Sequence, residues 1–308
     1  MTQADATSSD YVAQHPGALI DVGGQELFVR SIAPTGPNPA PAVFIHGLGG
    51  SATNWTDLMD LLATELDSVA PDLPGFGHSP PPPDGDYRLT AHAHAVAMLV
   101  RTRFGGQPVH VFGNSLGGAT AVQFAARYPE LIRSLTLVSP AMPEYAPRLS
   151  NIHMPLTAVP GVGERLWQRL QTKDVEWRVE RSLDICYANM DRVDPRRMAE
   201  AVVDAKARER LPHATEAMLA SLRGLISTYF DRSEQRPWKL AETIKVPVLL
   251  IYGRDDKLVN PKAAHRATKA FPNSRVVVVP DSGHVTQMEH PEVVASAWHQ
   301  MAESIAAS

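Results

Sequence analysis

The chain has 308 residues, 44% of them hydrophobic and 20% charged, with a formal net charge of −4 at neutral pH. That length is generous for one average domain and suits a single core carrying an insertion. With no basic excess, there is no field to hold nucleic acid or an anionic membrane surface. The one cysteine, Cys186, excludes an internal disulfide and suits a reducing compartment, so the cytoplasm is the expected location. No apolar run reaches the ~18 residues that a membrane span needs.

Residues 1–16 have neither a basic start nor an apolar run, so they read as a flexible tail and not a signal peptide. Gly23-Gly24 predicts a hairpin turn between Leu19-Ile20 and Leu27-Phe28-Val29. A strand at 42–46 runs into the glycine-rich turn His46-Gly47-Leu48-Gly49-Gly50, followed by a helix over 54–65 and a strand at 68–71. Pro80 to Pro83 follow the polar turn Asp72–Ser79 directly and read as a stiff surface loop. A helix over 90–103 precedes a buried strand carrying Val109, Val111 and Phe112, and Thr136–Val138 predicts another strand.

From Ala141 to Trp238 the strand–helix alternation stops. Helices are expected there at 161–171, 174–190, 194–209 and 213–230, with breaks at Pro195 and Pro212. Alternation then resumes with strands at 246–252 and 275–280. This βα pattern predicts an α/β core with a mainly parallel sheet, 17–140 and 239–308, interrupted by a helical insertion over 141–238.

Three loops carry chemistry. Gly113-Asn114-Ser115-Leu116-Gly117 fits G-x-S-x-G, and Gly117, Gly118 and Ala119 open a small-residue helix behind it. In a strand-to-helix turn that motif lifts a serine hydroxyl above the sheet, and the helix N-terminus favours negative charge there. A serine hydroxyl needs a histidine to take its proton, and the histidine needs an acid to fix its tautomer. The loop after strand 246–252 offers Asp255 and Asp256, and the loop after 275–280 offers His284. Serine, acid and histidine thus stand in that chain order, each just past a strand. The amide after the nucleophile, Leu116, is the expected donor to an oxyanion. The other eleven histidines lack such context; His92 and His94, two apart on a helix, do not share a face and make a poor metal site. No metal or cofactor is implied.

Taken together, Phe44–Gly50, Asp72–Ser79, the Ser115 turn and the pairing of Gly253-x-x-Asp256 with Gly283-His284 resemble the α/β-hydrolase superfamily, specifically its cap-containing esterase and lipase-like branch. The likeness runs from Gly24 to the C-terminal helix. It implies an eight-stranded, mainly parallel sheet flanked by helices, with the helical insertion as a cap after the sixth strand. It selects Asp256, three residues after the glycine, over Asp255, and it makes the Leu48 amide the second oxyanion donor. It also makes His46 a shaper of that loop by hydrogen bonding and not a proton carrier.

The resemblance implies a serine hydrolase acting on a small hydrophobic carboxylic ester, with Ser115, His284 and Asp256 as its triad. Asn114, Met142, Trp167 and Val285 are candidates for the substrate pocket, and Arg178 and Arg181 could hold a substrate carboxylate. An aspartate in place of Ser115 would be needed for haloalkane or epoxide chemistry. The Gly-Asn-Ser start of the turn is similar to that of carbon–carbon bond hydrolases of aromatic meta-cleavage products, whereas Val285 stands where those enzymes commonly carry tryptophan. A slow-turnover receptor built on the same triad is a further alternative.

Overall fold

Strands buried on both faces need no polar alternation, and the central strands here have little. A computed structural model describes residues 12–144 and 153–307. Positions 1–11 of the expected tail and 145–152 of the expected cap lie outside the described residues. The strands are β1 (Gly17–Asp21), β2 (Glu26–Ser31), β3 (Ala40–Ile45), β4 (Leu66–Pro71), β5 (Val109–Asn114), β6 (Ile132–Val138), β7 (Val248–Gly253) and β8 (Ser274–Val279). They form one sheet in the order β1-β2-β4-β3-β5-β6-β7-β8. β2 pairs antiparallel with both β1 and β4, and every other pairing is parallel.

Successive side chains of a strand point to opposite faces. Val43 and Ile45 of β3 accordingly join the layer under α2 (Leu89–Phe104), α3 (Leu116–Arg127) and α9 (Pro237–Thr243). Ala42 and Phe44 join the layer under α1 (Thr56–Leu61) and α12 (Pro291–Ala306). In that second layer Phe44 stacks on Phe112 with ring centroids 4.2 Å apart, and Trp55 and Trp298 close around them.

Between β6 and α9 lie α4 (His153–Ala158), α5 (Val162–Gln171), α6 (Val175–Cys186), α7 (Pro195–Glu209) and α8 (Ala214–Ser227). Pro195 occupies the first turn of α7, where its missing N–H costs nothing, and Asp194 caps the helix by accepting from Arg196 N–H (2.7 Å). The expected helix over 174–190 stops at Cys186. There the backbone polar groups find tertiary partners: Cys186 O accepts from His284 N–H (2.6 Å), and Ala188 and Asn189 N–H donate to Glu289. The expected helix over 54–65 is likewise shorter, ending at Leu61 because residues 62–65 turn back into β4. Two short elements, α10 (Ala263–Ala270) and α11 (Thr286–Glu289), complete the chain. Among the described residues no helix is long and apolar enough to cross a membrane.

Candidate active site

Ser115 stands between β5 and α3 with φ 55° and ψ −117°, a left-handed conformation that a non-glycine residue adopts only under constraint. The constraint is visible. Ser115 N–H donates to Val138 O (3.1 Å), and Ser115 O accepts from Ala119 N–H (3.0 Å) and Ala141 N–H (2.9 Å). Glycine at 117 is required because a Cβ there would collide with the backbone oxygens of Ile45 and His46. The first amides of α3, beginning at Leu116, have no intrahelical acceptor and point at the turn.

Asp256 and His284 meet from adjacent strand ends. His284 Nδ1 and Asp256 Oδ2 are 2.9 Å apart, with both residues buried. Asp256 Oδ1 accepts from Leu258 N–H (2.7 Å) and Val259 N–H (2.9 Å). Burial alone would push this carboxyl up, but the His284 ring and those two amides outweigh it and hold the acid below the usual carboxylate range. Asp255 is exposed beside Arg254. With Nδ1 held against the carboxylate, Nε2 is the ring nitrogen left free of that bond. The loop carrying His284 is tied to the residue before Ser115: Asn114 Nδ2 donates to His284 O (3.0 Å) as well as to Val138 O (3.1 Å).

The His46–Gly50 loop lies against the same turn. A Cβ added at Gly47 would lie 3.2 Å from Ser115 Cβ, which sets the Gly47–Leu48 peptide against the turn. His46 braces it. Its Nε2 accepts from Leu73 N–H (2.9 Å), so the proton sits on Nδ1, which donates to Gly47 O (2.7 Å). Burial pushes the His46 pKa down, which keeps the ring neutral. Further out, Asp72 accepts from Ala52 N–H (2.7 Å) and His78 N–H (2.8 Å), and Arg208 of α7 donates to Gly49 O (2.6 Å).

The expected pocket residues fare differently. Met142 belongs to the apolar core cluster, Val285 is buried, and Trp167 lies on α5, which packs against α4 and α8. Asn114 uses its amide to hold backbone carbonyls. Arg178 donates to Lys173 O (3.1 Å) and pairs with Glu209, and Arg181 pairs with Asp184 at 2.9 Å, so both have acceptors within the insertion. His92 bonds Ser221 Oγ (3.1 Å) in the interior, whereas His94 bonds the Tyr128 hydroxyl at the surface (2.8 Å). Sequence reasoning missed Glu289, Arg208 and Asp72. Each bonds at least one backbone group far away in sequence, and only the Asp72 turn carried any local signal.

The sequence profile described as the alpha/beta hydrolase fold matches residues 41–291. The chain belongs to that family. Within it, the chain is 28% identical to Lipase 1 of Psychrobacter immobilis over 261 residues, covering 81% of this chain and 72% of the lipase. It is also 28% identical to the 2-(acetamidomethylene)succinate hydrolase of Mesorhizobium japonicum, covering 96% of each chain. Among solved structures, 2-hydroxy-6-oxo-6-phenylhexa-2,4-dienoate hydrolase from Rhodococcus sp. strain RHA1 superimposes with a TM-score of 0.73. That match covers 95% of this chain and 100% of the other at 19% identity, a likeness of fold. Lipase and hydrolase relatives on an α/β-hydrolase fold make hydrolysis the general chemistry of this chain.

Proposed function

We propose that the protein is a serine hydrolase that cleaves hydrophobic carboxylic esters through an acyl-enzyme. The observation that carries this reading is the 2.9 Å contact between His284 Nδ1 and Asp256 Oδ2, tied through Asn114 to the strained turn at Ser115. Ser115 Oγ attacks the ester carbonyl carbon while His284 Nε2 takes the hydroxyl proton. The carbonyl oxygen becomes an oxyanion, held by the Leu48 and Leu116 amides, each worth roughly 3–4 kcal/mol in comparable sites. Collapse expels the alcohol, which receives the proton from His284. Water, deprotonated by the same ring, then attacks the acyl-enzyme and releases the acid, restoring Ser115. Asp256 stays ionised and holds the ring.

A hydrophobic acyl group is supported by what surrounds the loops. Met218 of α8 lies over Gly49, its Sδ 3.6 Å from where a Cβ would stand, and Leu48 packs on the main apolar cluster. The helices between β6 and α9 then serve as a cap that excludes water during chemistry. A single cysteine suits a cytoplasmic enzyme.

The test is steady-state hydrolysis of nitrophenyl esters from acetate to long-chain acids, wild type beside Ser115→Ala. Multiple turnover that disappears in the variant supports the proposal, and the preferred chain length sizes the pocket. Turnover of meta-cleavage dienones but no ester would replace it with carbon–carbon bond hydrolysis. A slow single event with a large ligand-induced thermal shift would replace it with a receptor.

A further inference from the structure

Glu289 is a buried carboxylate at the end of α11, five residues past His284, and it has no part in the chemistry above. Its oxygens accept from three backbone amides on two separate segments. Gly283 N–H, immediately before His284, donates to Oε2 at 2.7 Å. Ala188 N–H and Asn189 N–H, at the end of α6 in the insertion, donate to Oε1, each at 3.0 Å. The same two segments are joined directly by His284 N–H donating to Cys186 O at 2.6 Å. They also pack so closely that a Cβ at Gly283 would strike Cys186 O. Amide bonds to an ionised acceptor are short and about twice as strong as neutral ones, and a buried carboxylate needs several of them.

We infer that Glu289 is a positioning residue for His284, and that it ties the insertion to the loop that carries His284. The inference rests on the role proposed above for His284. The geometry divides the work: Asp256 orients the ring, Asn114 holds the His284 carbonyl, and Glu289 with Cys186 O fixes the amide side of the same residue. A carboxylate is needed because all three groups facing it are donors. An amide side chain in its place turns an NH2 towards at least one of them.

The test compares wild type, Glu289→Gln and Glu289→Asp, with Ser115→Ala alongside. Turnover is expressed per site titrated with a fluorophosphonate, and the low-field Nδ1–H proton resonance of His284 is followed in parallel, identified by its loss in His284→Gln. Glu289→Gln is expected to lower kcat per titrated site by about a hundredfold, as a misplacement near 1 Å does. KM should stay within about twofold, since the side chain does not touch substrate. The His284 resonance should shift or broaden, with partial recovery in Glu289→Asp, which keeps the charge. Wild-type turnover per titrated site together with an unchanged resonance would overturn the inference and leave Glu289 a role in stability alone. If wild type takes no label and Ser115→Ala keeps its activity, the serine reading fails, and the resonance still decides whether Glu289 positions His284.

Discussion

The side-chain amide of Asn114 donates to the backbone carbonyl of His284 at 3.0 Å, one residue from Ser115. This bond crosses from the end of β5 to the loop after β8, over the strands β6 and β7 that lie between them. It ties the Ser115 turn to the His284 loop without either of those side chains taking part. Asn114→Ala removes the donor from a buried carbonyl, at a cost of about 1–3 kcal/mol. The expected result is a lower urea midpoint and a kcat reduced by roughly ten- to a hundredfold, because a small displacement of the base is costly. An unchanged kcat would show that the His284 loop holds its place without Asn114.

The two aspartates after β7 make a paired test. Asp256→Asn keeps the shape but lets the amide favour the wrong imidazole tautomer, a change that lowers kcat by about 10⁴ in comparable triads. Asp255→Asn, at the surface, should leave kcat within about twofold. Steady-state kinetics on one ester separates them, and the reverse order would assign the acid to Asp255.

How much of this was open to sequence reasoning follows from how local each signal is. Gly113, Ser115 and Gly117 announce their turn because strand, turn and helix are all encoded within about fifteen residues. The strand ends that deliver Asp256 and His284 are equally local. The stop of α6 at Cys186 was not legible, because helical periodicity continues past it and the competing partners, His284 N–H and Glu289, lie about a hundred residues on. Arg208 was hidden for the same reason, since nothing in α7 reveals that its guanidinium reaches Gly49 O. Asn114 is a pocket candidate by sequence, and the bonds of its amide to Val138 O and His284 O are visible only in the structure because His284 lies 170 residues away.

Glycine at 117 is a steric requirement. In Gly117→Ala the new methyl meets the oxygens of Ile45 and His46, which are backbone and have nowhere to go. A loss of about 3 kcal/mol or more is expected, with activity falling alongside, since the same oxygens flank the Leu48 loop. Differential scanning calorimetry that found wild-type stability would mean that β3 and α3 can separate more easily than their packing suggests.

Buried histidines set the response to acid. Burial pushes His110 down to about 4, with Arg133 adding, and pushes His92 down to about 3, with His46 adding. In the unfolded chain both titrate near 6.5, so between pH 6.5 and about 4 the unfolded state binds protons that the folded state does not. Stability is therefore complete above 6.5 and falls as pH drops through that window, by about 3 kcal/mol from His110 alone. Asp256 acts lower: its depressed acid stabilises the fold above 3.8, and that contribution goes only as pH falls below it. Urea midpoints from pH 7.5 to 4.5 should decline in wild type and decline less steeply in His110→Gln. Parallel slopes would assign the acid sensitivity to other groups.

Covalent labelling decides whether Ser115 is an activated nucleophile. Wild type and Ser115→Ala would be treated with a fluorophosphonate, weighed intact and then mapped by peptide mass spectrometry. One adduct per chain is expected, on the peptide containing Ser115, and none in the folded variant. An adduct elsewhere, or equal labelling of Ser115→Ala, would contradict it.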